Sequence, residues 1–161
     1  MAEELTVCTV SFKNKALVEL NRQLTAALNP AASPQWIVVE NSPPSTGNAF
    51  SVQGGEFTVI EGVPFNPSVS RAASHHHAQA LHKALAQLNT RFVLILDPDF
   101  YIVLPDWVHQ IPQYMQQKGL AVLGVPWHPR WFAKFREYPT MHCMFIDLAQ
   151  FERDDLDFSP D

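Results

Sequence analysis

The stretch Arg91 to Tyr101, Arg-Phe-Val-Leu-Ile-Leu-Asp-Pro-Asp-Phe-Tyr, constrains this chain more than any other. Phe92 to Leu96 form an unbroken apolar run rich in β-formers, which predicts a strand buried on both faces, as in parallel sheets. Two carboxylates, Asp97 and Asp99, follow at once. Two negative charges at the end of a buried strand repel each other and are costly to desolvate, so the arrangement calls for a cation or solvent. Pro98 fixes its own φ and biases Asp97 away from helix, which holds both acids in an extended turn. In outline this is a site for a hard cation such as Mg²⁺ or Mn²⁺, whose remaining positions go to water and substrate phosphate.

The rest of the chain supplies elements to pack around that strand. Leu5 to Phe12 reads as a first strand, and Ala16, Leu17, Leu20, Leu24 and Leu28 recur at helical spacing up to Asn29-Pro30. Trp36 to Glu40 reads as a second strand ending in an acid, and a Pro/Gly/Ser-rich loop runs on to Gly55. Phe57 to Glu61 is a third strand. A helix from Ser74, as N-cap, carries Ala78, Leu81, Leu85 and Leu88 on one face. After the central strand, Pro105 and Asp106 open a helix with Trp107, Ile111, Tyr114 and Met115 as its apolar positions, closed by Gly119. Leu120 to Val125 and Cys143 to Ile146 read as further strands, separated by an aromatic and basic loop, Trp127 to Tyr138.

Strands alternating with helices at this spacing predict an α/β fold of βαβ units, with a mostly parallel central sheet flanked by helices. Function is then expected beyond the carboxyl ends of the strands, where Glu40, Asp97 and Asp99 would share one crevice. With 161 residues, 47% of them hydrophobic, one domain over 1–161 is the expectation. Eleven basic residues against 16 acidic give a net charge of −5 without an evident basic patch, which argues against nucleic acid as a partner. Cys8 and Cys143 have apolar flanks and read as buried thiols, so a reducing compartment, the cytoplasm, is expected. No 18-residue apolar run is present and the first residues are acidic, so neither a membrane span nor a signal peptide is expected.

Three segments in order, Val7-Cys8-Thr9-Val10-Ser11-Phe12, Ile37-Val38-Val39-Glu40-Asn41-Ser42 and Leu94-Ile95-Leu96-Asp97-Pro98-Asp99, resemble the family 2 glycosyltransferases of the Rossmann-like GT-A fold. The resemblance runs from about Leu5 to Phe151. It implies transfer of a sugar from a nucleotide-diphosphate donor, UDP- or GDP-linked, to a carbohydrate or lipid-linked acceptor, with peripheral membrane contact a consequence of the latter. It implies that Thr9, Ser11, Glu40 and Asp97 meet the nucleotide sugar, with His76 a further candidate for the same contact. Asp97 and Asp99, the D-x-D pair, would hold Mn²⁺ or Mg²⁺ against the diphosphate, with His142 as a third ligand. The metal would favour departure of the nucleoside diphosphate, and a carboxylate would deprotonate the acceptor.

The family's base belongs to a Glu-Asp pair after the last strand. Here Asp154, Asp155 and Asp157 are the late acids and Asp155 is the candidate base, so the chain is either a piece of a longer enzyme or lacks that group. Relatives carry small residues where this chain has Arg71-Ala72-Ala73-Ser74-His75-His76-His77, so imidazoles would stand near the diphosphate. Trp127, Trp131 and Arg130 are candidates for an acceptor groove or lid. His75 and His82 share a helical face, but without a partnering acid or Cys they make a poor zinc site. A second reading is a catalytically incomplete module of the same fold that binds a sugar nucleotide or a protein partner. A haloacid-dehalogenase phosphatase also places Asp-x-Asp after a strand, but on its first strand, whereas here the motif follows the fourth.

Overall fold

A strand that is apolar at every position needs cover on both faces, and the sheet is built to give it. The computed structural model describes residues 5–43, 46–51, 55–126, 139–152 and 155–160. Its elements are β1 (Leu5–Ser11), α1 (Lys15–Leu28), β2 (Gln35–Glu40), β3 (Thr58–Glu61), α2 (Ala72–Leu85), β4 (Phe92–Leu96), α3 (Trp107–Lys118), β5 (Val122–Gly124) and β6 (Cys143–Asp147), followed by a 3₁₀ turn, Leu148–Gln150. The sheet order is β3-β2-β1-β4-β6-β5. β1, β2, β3 and β4 pair in parallel, while β6 runs antiparallel to both β4 and β5. The fold is the expected α/β one, a mostly parallel sheet flanked by helices.

Alternation along the strands sends successive side chains to opposite faces. Leu5, Val7, Trp36, Val38, Phe92, Leu94 and Leu96 meet Val18 of α1 and Trp107, Val108 and Met115 of α3. Cys8, Val10, Ile37, Val39, Val93 and Ile95 meet Ala80, Leu81 and Ala84 of α2, with Leu148, Phe151, Leu156 and Phe158 closing the same layer. Every residue of β4 is at most 2% exposed. At about 2 to 5 kcal/mol for truncating a buried Leu or Ile to Ala, this strand is the most sensitive part of the core.

The helices depart from the sequence expectation in phase and in their ends. α1 buries Val18, Asn21 and Thr25, while Leu17 and Leu20 are 36% and 50% exposed. Polar ties set this rotation. Asn21 Nδ2 donates to the Phe100 carbonyl at 2.8 Å, and Asn29 Nδ2 donates to the Thr25 carbonyl at 2.7 Å. Asn29 Oδ1 then accepts from Val108 N at 2.9 Å, and Asp106 N donates to the Leu28 carbonyl at 2.9 Å. Asp106, in a left-handed conformation, bonds through its carboxylate to the His109 ring and caps no backbone N–H of α3, so Asn29, the residue following α1, satisfies the otherwise unpaired N–H of Val108. α2 begins two residues before Ser74, after a left-handed Arg71. Tyr114, expected inside, is 47% exposed, and β5 is shorter than Leu120 to Val125.

At the start of β4, the Asp147 carboxylate is fully buried and ties the last strand to the core. Arg91 Nε and Nη2 reach its two oxygens at 2.9 and 2.8 Å, and Gln150 Nε2 and Ala149 N donate at 3.1 and 3.2 Å. The hydrogen bonds from Arg91 are the main reason this carboxyl sits below its ordinary range, overcoming the opposing effect of burial. Its stabilisation is therefore complete above the unfolded value, near pH 4, and is lost as pH falls through the depressed folded value. Asp147→Ala should cost about 1.5 to 3 kcal/mol in urea unfolding at pH 7, less than for a fully buried pair because the Arg91 side chain is 44% exposed. The stability gap between the native chain and Asp147→Asn should narrow below pH 4; a gap independent of pH would refute this account.

Candidate functional site

The strand order reverses between β1 and β4, since the chain builds outward from β1 to β2 and β3 and then returns to place β4 on its other side. In open α/β sheets the ligand crevice lies there, beyond the carboxyl ends of the strands. Asp97 and Asp99 follow β4 at this edge, and Glu40 ends β2 beside Ser11 of β1. The antiparallel return of β6 brings His142 to the same edge, with Asp97 N donating to the His142 carbonyl at 2.9 Å.

Around Asp97 the geometry is asymmetric. His142 Nδ1 lies 2.5 Å from Asp97 Oδ2; a carboxylate only accepts, so Nδ1 carries the proton. His77 Nε2 faces the other oxygen, Oδ1, at 3.8 Å, too far for a hydrogen bond. Burial lowers the His77 pKa below its ordinary value against the pull of Asp97, and His142 and His76 push it the same way as burial. Asp99 is exposed. Among the described residues, no three His, Cys, Asp or Glu side chains converge as a ready metal cage. The donor types nonetheless suit a divalent cation, because an ion held by one or two carboxylates completes its shell with phosphate and water.

Glu40 is placed differently from the acids of β4. Trp36 and Val38 face the α1 and α3 layer, so alternation sends Glu40 to that face, whereas Asp97 continues Val93 and Ile95 toward α2. The three acids thus share an edge, but Glu40 and Asp97 leave the sheet on opposite faces. The Glu40 carboxylate accepts from Ser11 Oγ at 2.9 Å, Ser42 N at 2.8 Å and Phe50 N at 2.9 Å. It holds the β2 loop in place. Ser11 is fully buried and Thr9 is 2% exposed, with a hydroxyl that has no partner among the described residues.

His76 is also turned inward, 8% exposed, with Nε2 donating to the Val63 carbonyl at 2.6 Å. Its ring stands edge-on to Phe12 and Phe65, which are 47% and 53% exposed at this rim. Asn41 completes the support: it accepts from Val63 N and donates to the His76 carbonyl. Gly62 is required here, since a Cβ would lie 2.0 Å from Asn41 Oδ1. Lys13 and Arg71 follow β1 and β3 in left-handed conformations, with φ of 61° and 52°. Such strain costs on the order of 1 to 3 kcal/mol and is characteristic of functional turns.

The remaining candidates fall elsewhere. Asp155 is exposed on the tail, and its neighbours Leu156 and Phe158 pack with α2. His82 accepts from Phe158 N at 3.0 Å and so anchors that tail. Trp127, Arg130 and Trp131 lie outside the described residues, as does Asp154. Cys8 and Cys143 are buried thiols whose pKa values are pushed up to about 12, chiefly by burial, which leaves neither available as a nucleophile. A polar pocket of about 400 Å³, lined by Gln35, Thr58, Gln87 and Asn89, opens at the amino ends of β2 and β3, away from the acids. Sequence reading places the run His75 to His77 near the diphosphate without singling out His77, and misses Phe12, Phe65 and Lys13.

Glu40→Ala should leave the Ser42 and Phe50 amides without their acceptor and cost about 2 kcal/mol. Hydrogen exchange at those two amides should accelerate well beyond that of the β1 and β4 amides. Unchanged protection would mean that Glu40 does not hold the loop.

No protein family and no curated protein sequence matches the chain. Solved structures do. A mannosyltransferase from Pyrobaculum calidifontis, PcManGT, in complex with GDP-Man and Mn²⁺, superposes with a TM-score of 0.59 at 14% identity, over 94% of this chain and 48% of its own. The active-site mutant Q189E of LgtC superposes with a TM-score of 0.54, also at 14% identity, over 90% of this chain and 58% of its own. The chain spans about half the length of these proteins. At this identity the likeness is one of fold: the chain has the Rossmann-like GT-A architecture shared by these glycosyltransferases.

Proposed function

We propose that this chain is the donor-binding part of a glycosyltransferase that takes its sugar from a nucleoside diphosphate, UDP- or GDP-linked. The observation that carries this reading is the Asp97-Pro98-Asp99 turn at the edge where strand order reverses, with His77 and His142 beside Asp97. Two carboxylates with imidazoles beside one of them are donor types that suit a metal-bound diphosphate.

In this reading Asp97 and Asp99 hold a divalent cation, Mn²⁺ or Mg²⁺. When bound, the ion supplies Lewis acidity that favours departure of the nucleoside diphosphate. Lys13 and Arg71 offer charge to the phosphate oxygens, and the exposed faces of Phe12 and Phe65 offer surface on which a base can stack. Glu40 and Asn41 keep this rim in shape through the bonds they make to Ser42, Phe50 and Val63. The acceptor side is assigned to Trp127, Arg130 and Trp131, and the acceptor to a carbohydrate or a lipid-linked sugar. Among the described residues no helix is long and apolar enough to cross a membrane. We place the reaction in the cytoplasm, at a membrane face if the acceptor carries lipid.

The test is a thermal-shift screen of nucleoside diphosphates with and without Mn²⁺. A ligand at a hundredfold excess over its Kd adds about 2.7 kcal/mol, which is roughly 5 to 10 °C for a chain of this size. One nucleotide should give such a shift only with metal, and Asp99→Ala should abolish it. No shift with any nucleotide, or the same shift in the variant, would overturn the proposal.

A further inference from the structure

His77 is a ligand-type side chain that no expectation assigned to the metal. It projects from the second turn of α2, and its Nε2 faces Asp97 Oδ1 across 3.8 Å. His142, the histidine expected to coordinate, instead meets Asp97 Oδ2 at 2.5 Å. These two separations have different chemical meanings. Two donors sharing an octahedral ion at about 2.1 Å are separated by roughly 3.0 Å when adjacent and 4.2 Å when opposite. The 3.8 Å between Nε2 and Oδ1 is too long for a hydrogen bond and about 0.8 Å wider than an adjacent pair, so these two donors must draw together to share an ion, whereas the 2.5 Å between Nδ1 and Oδ2 leaves no room for one. The Oδ1 oxygen has no hydrogen-bond donor among the described residues, so its lone pairs are available on the side His77 faces.

We propose that His77 and Asp97 Oδ1 bind the divalent cation together, while His142 orients Asp97 from behind as a hydrogen-bonded outer partner. This rests on the donor-site reading above and deepens it. The fold supports the assignment on both sides. His76, one residue earlier, points into the core and bonds to Val63, and Ala78, Ala80, Leu81 and Ala84 pack inward along the same helix. These contacts fix the rotation of α2, leaving the His77 side chain partly exposed, at 31%, beside Asp97. The backbone of His142 is held against Asp97 N, which keeps its ring beside Asp97 Oδ2. An imidazole in the inner shell favours Mn²⁺, Co²⁺ or Zn²⁺ over Mg²⁺, since nitrogen donors suit the borderline transition metals.

The experiment is pulsed electron paramagnetic resonance of Mn²⁺ bound to the full chain with GDP or UDP, whichever supports binding. The wild-type spectrum should show a ¹⁴N coupling from a directly bound imidazole. In His77→Gln the coupling should vanish while Mn²⁺ still binds, and in His142→Gln it should persist with Mn²⁺ affinity reduced about tenfold. Loss of the coupling in His142→Gln rather than in His77→Gln would overturn the proposal in favour of His142. A wild-type spectrum without nitrogen coupling, or a coupling that survives in both variants, would overturn it while leaving the donor-site reading intact. No Mn²⁺ binding with either nucleotide would overturn both. Because the wild-type and His142→Gln spectra test the nitrogen ligand directly, a misfolded His77→Gln would not shield the proposal.

Discussion

The structure depends on the burial of β4 and on what that burial does to the residues just past its end. A strand covered on both faces and paired on both edges cannot move, so the turn that leaves it is fixed in direction. The change from Leu96, at 1% exposure, to Asp97, partly exposed, happens within one residue. Hydrophobic free energy spent in the interior thereby becomes positional accuracy at the rim. Around this fixed point the neighbouring elements arrange their polar ends: β2 through Glu40, β6 through His142 and α2 through His77.

Much of this was legible in the sequence, for a physical reason. Buried parallel strands leave unbroken apolar runs, so β1, β2 and β4 stand out, and Pro98 between two acids marks the turn. Helix rotation was harder to read. The leucines of α1 recur at the right interval, but Asn21, Thr25 and Asn29 decide which face turns inward, because each bonds to backbone and so can be buried without loss. A hydrophobic pattern does not register that kind of burial.

The candidate site shows the same division. Asp97 and Asp99 declare themselves by position on the strand. Which of His75, His76 and His77 faces them depends on the rotation of α2, which Ala80, Leu81 and Ala84 set by packing on the sheet. Rotation by about 100° per residue separates an inward strut at His76 from a ligand-type group at His77. Glu40 was legible as an acid at a strand end, but its engagement by Ser11, Ser42 and Phe50 depends on a loop whose path no local pattern encodes.

The buried pair at the far end of β6 has an effect at the rim. β4 and β6 are matched residue for residue, from Phe92 opposite Asp147 to Leu96 opposite Cys143. Arg91 gripping Asp147 pins one end of this ladder, so it also selects, roughly 17 Å away, which side chain arrives beside Asp97 at the other. A slip of one residue would present Met141 or Cys143 in place of His142 and turn every side chain of β6 to the wrong layer. The ion pair behaves as the datum from which the opposite end of the strand is measured.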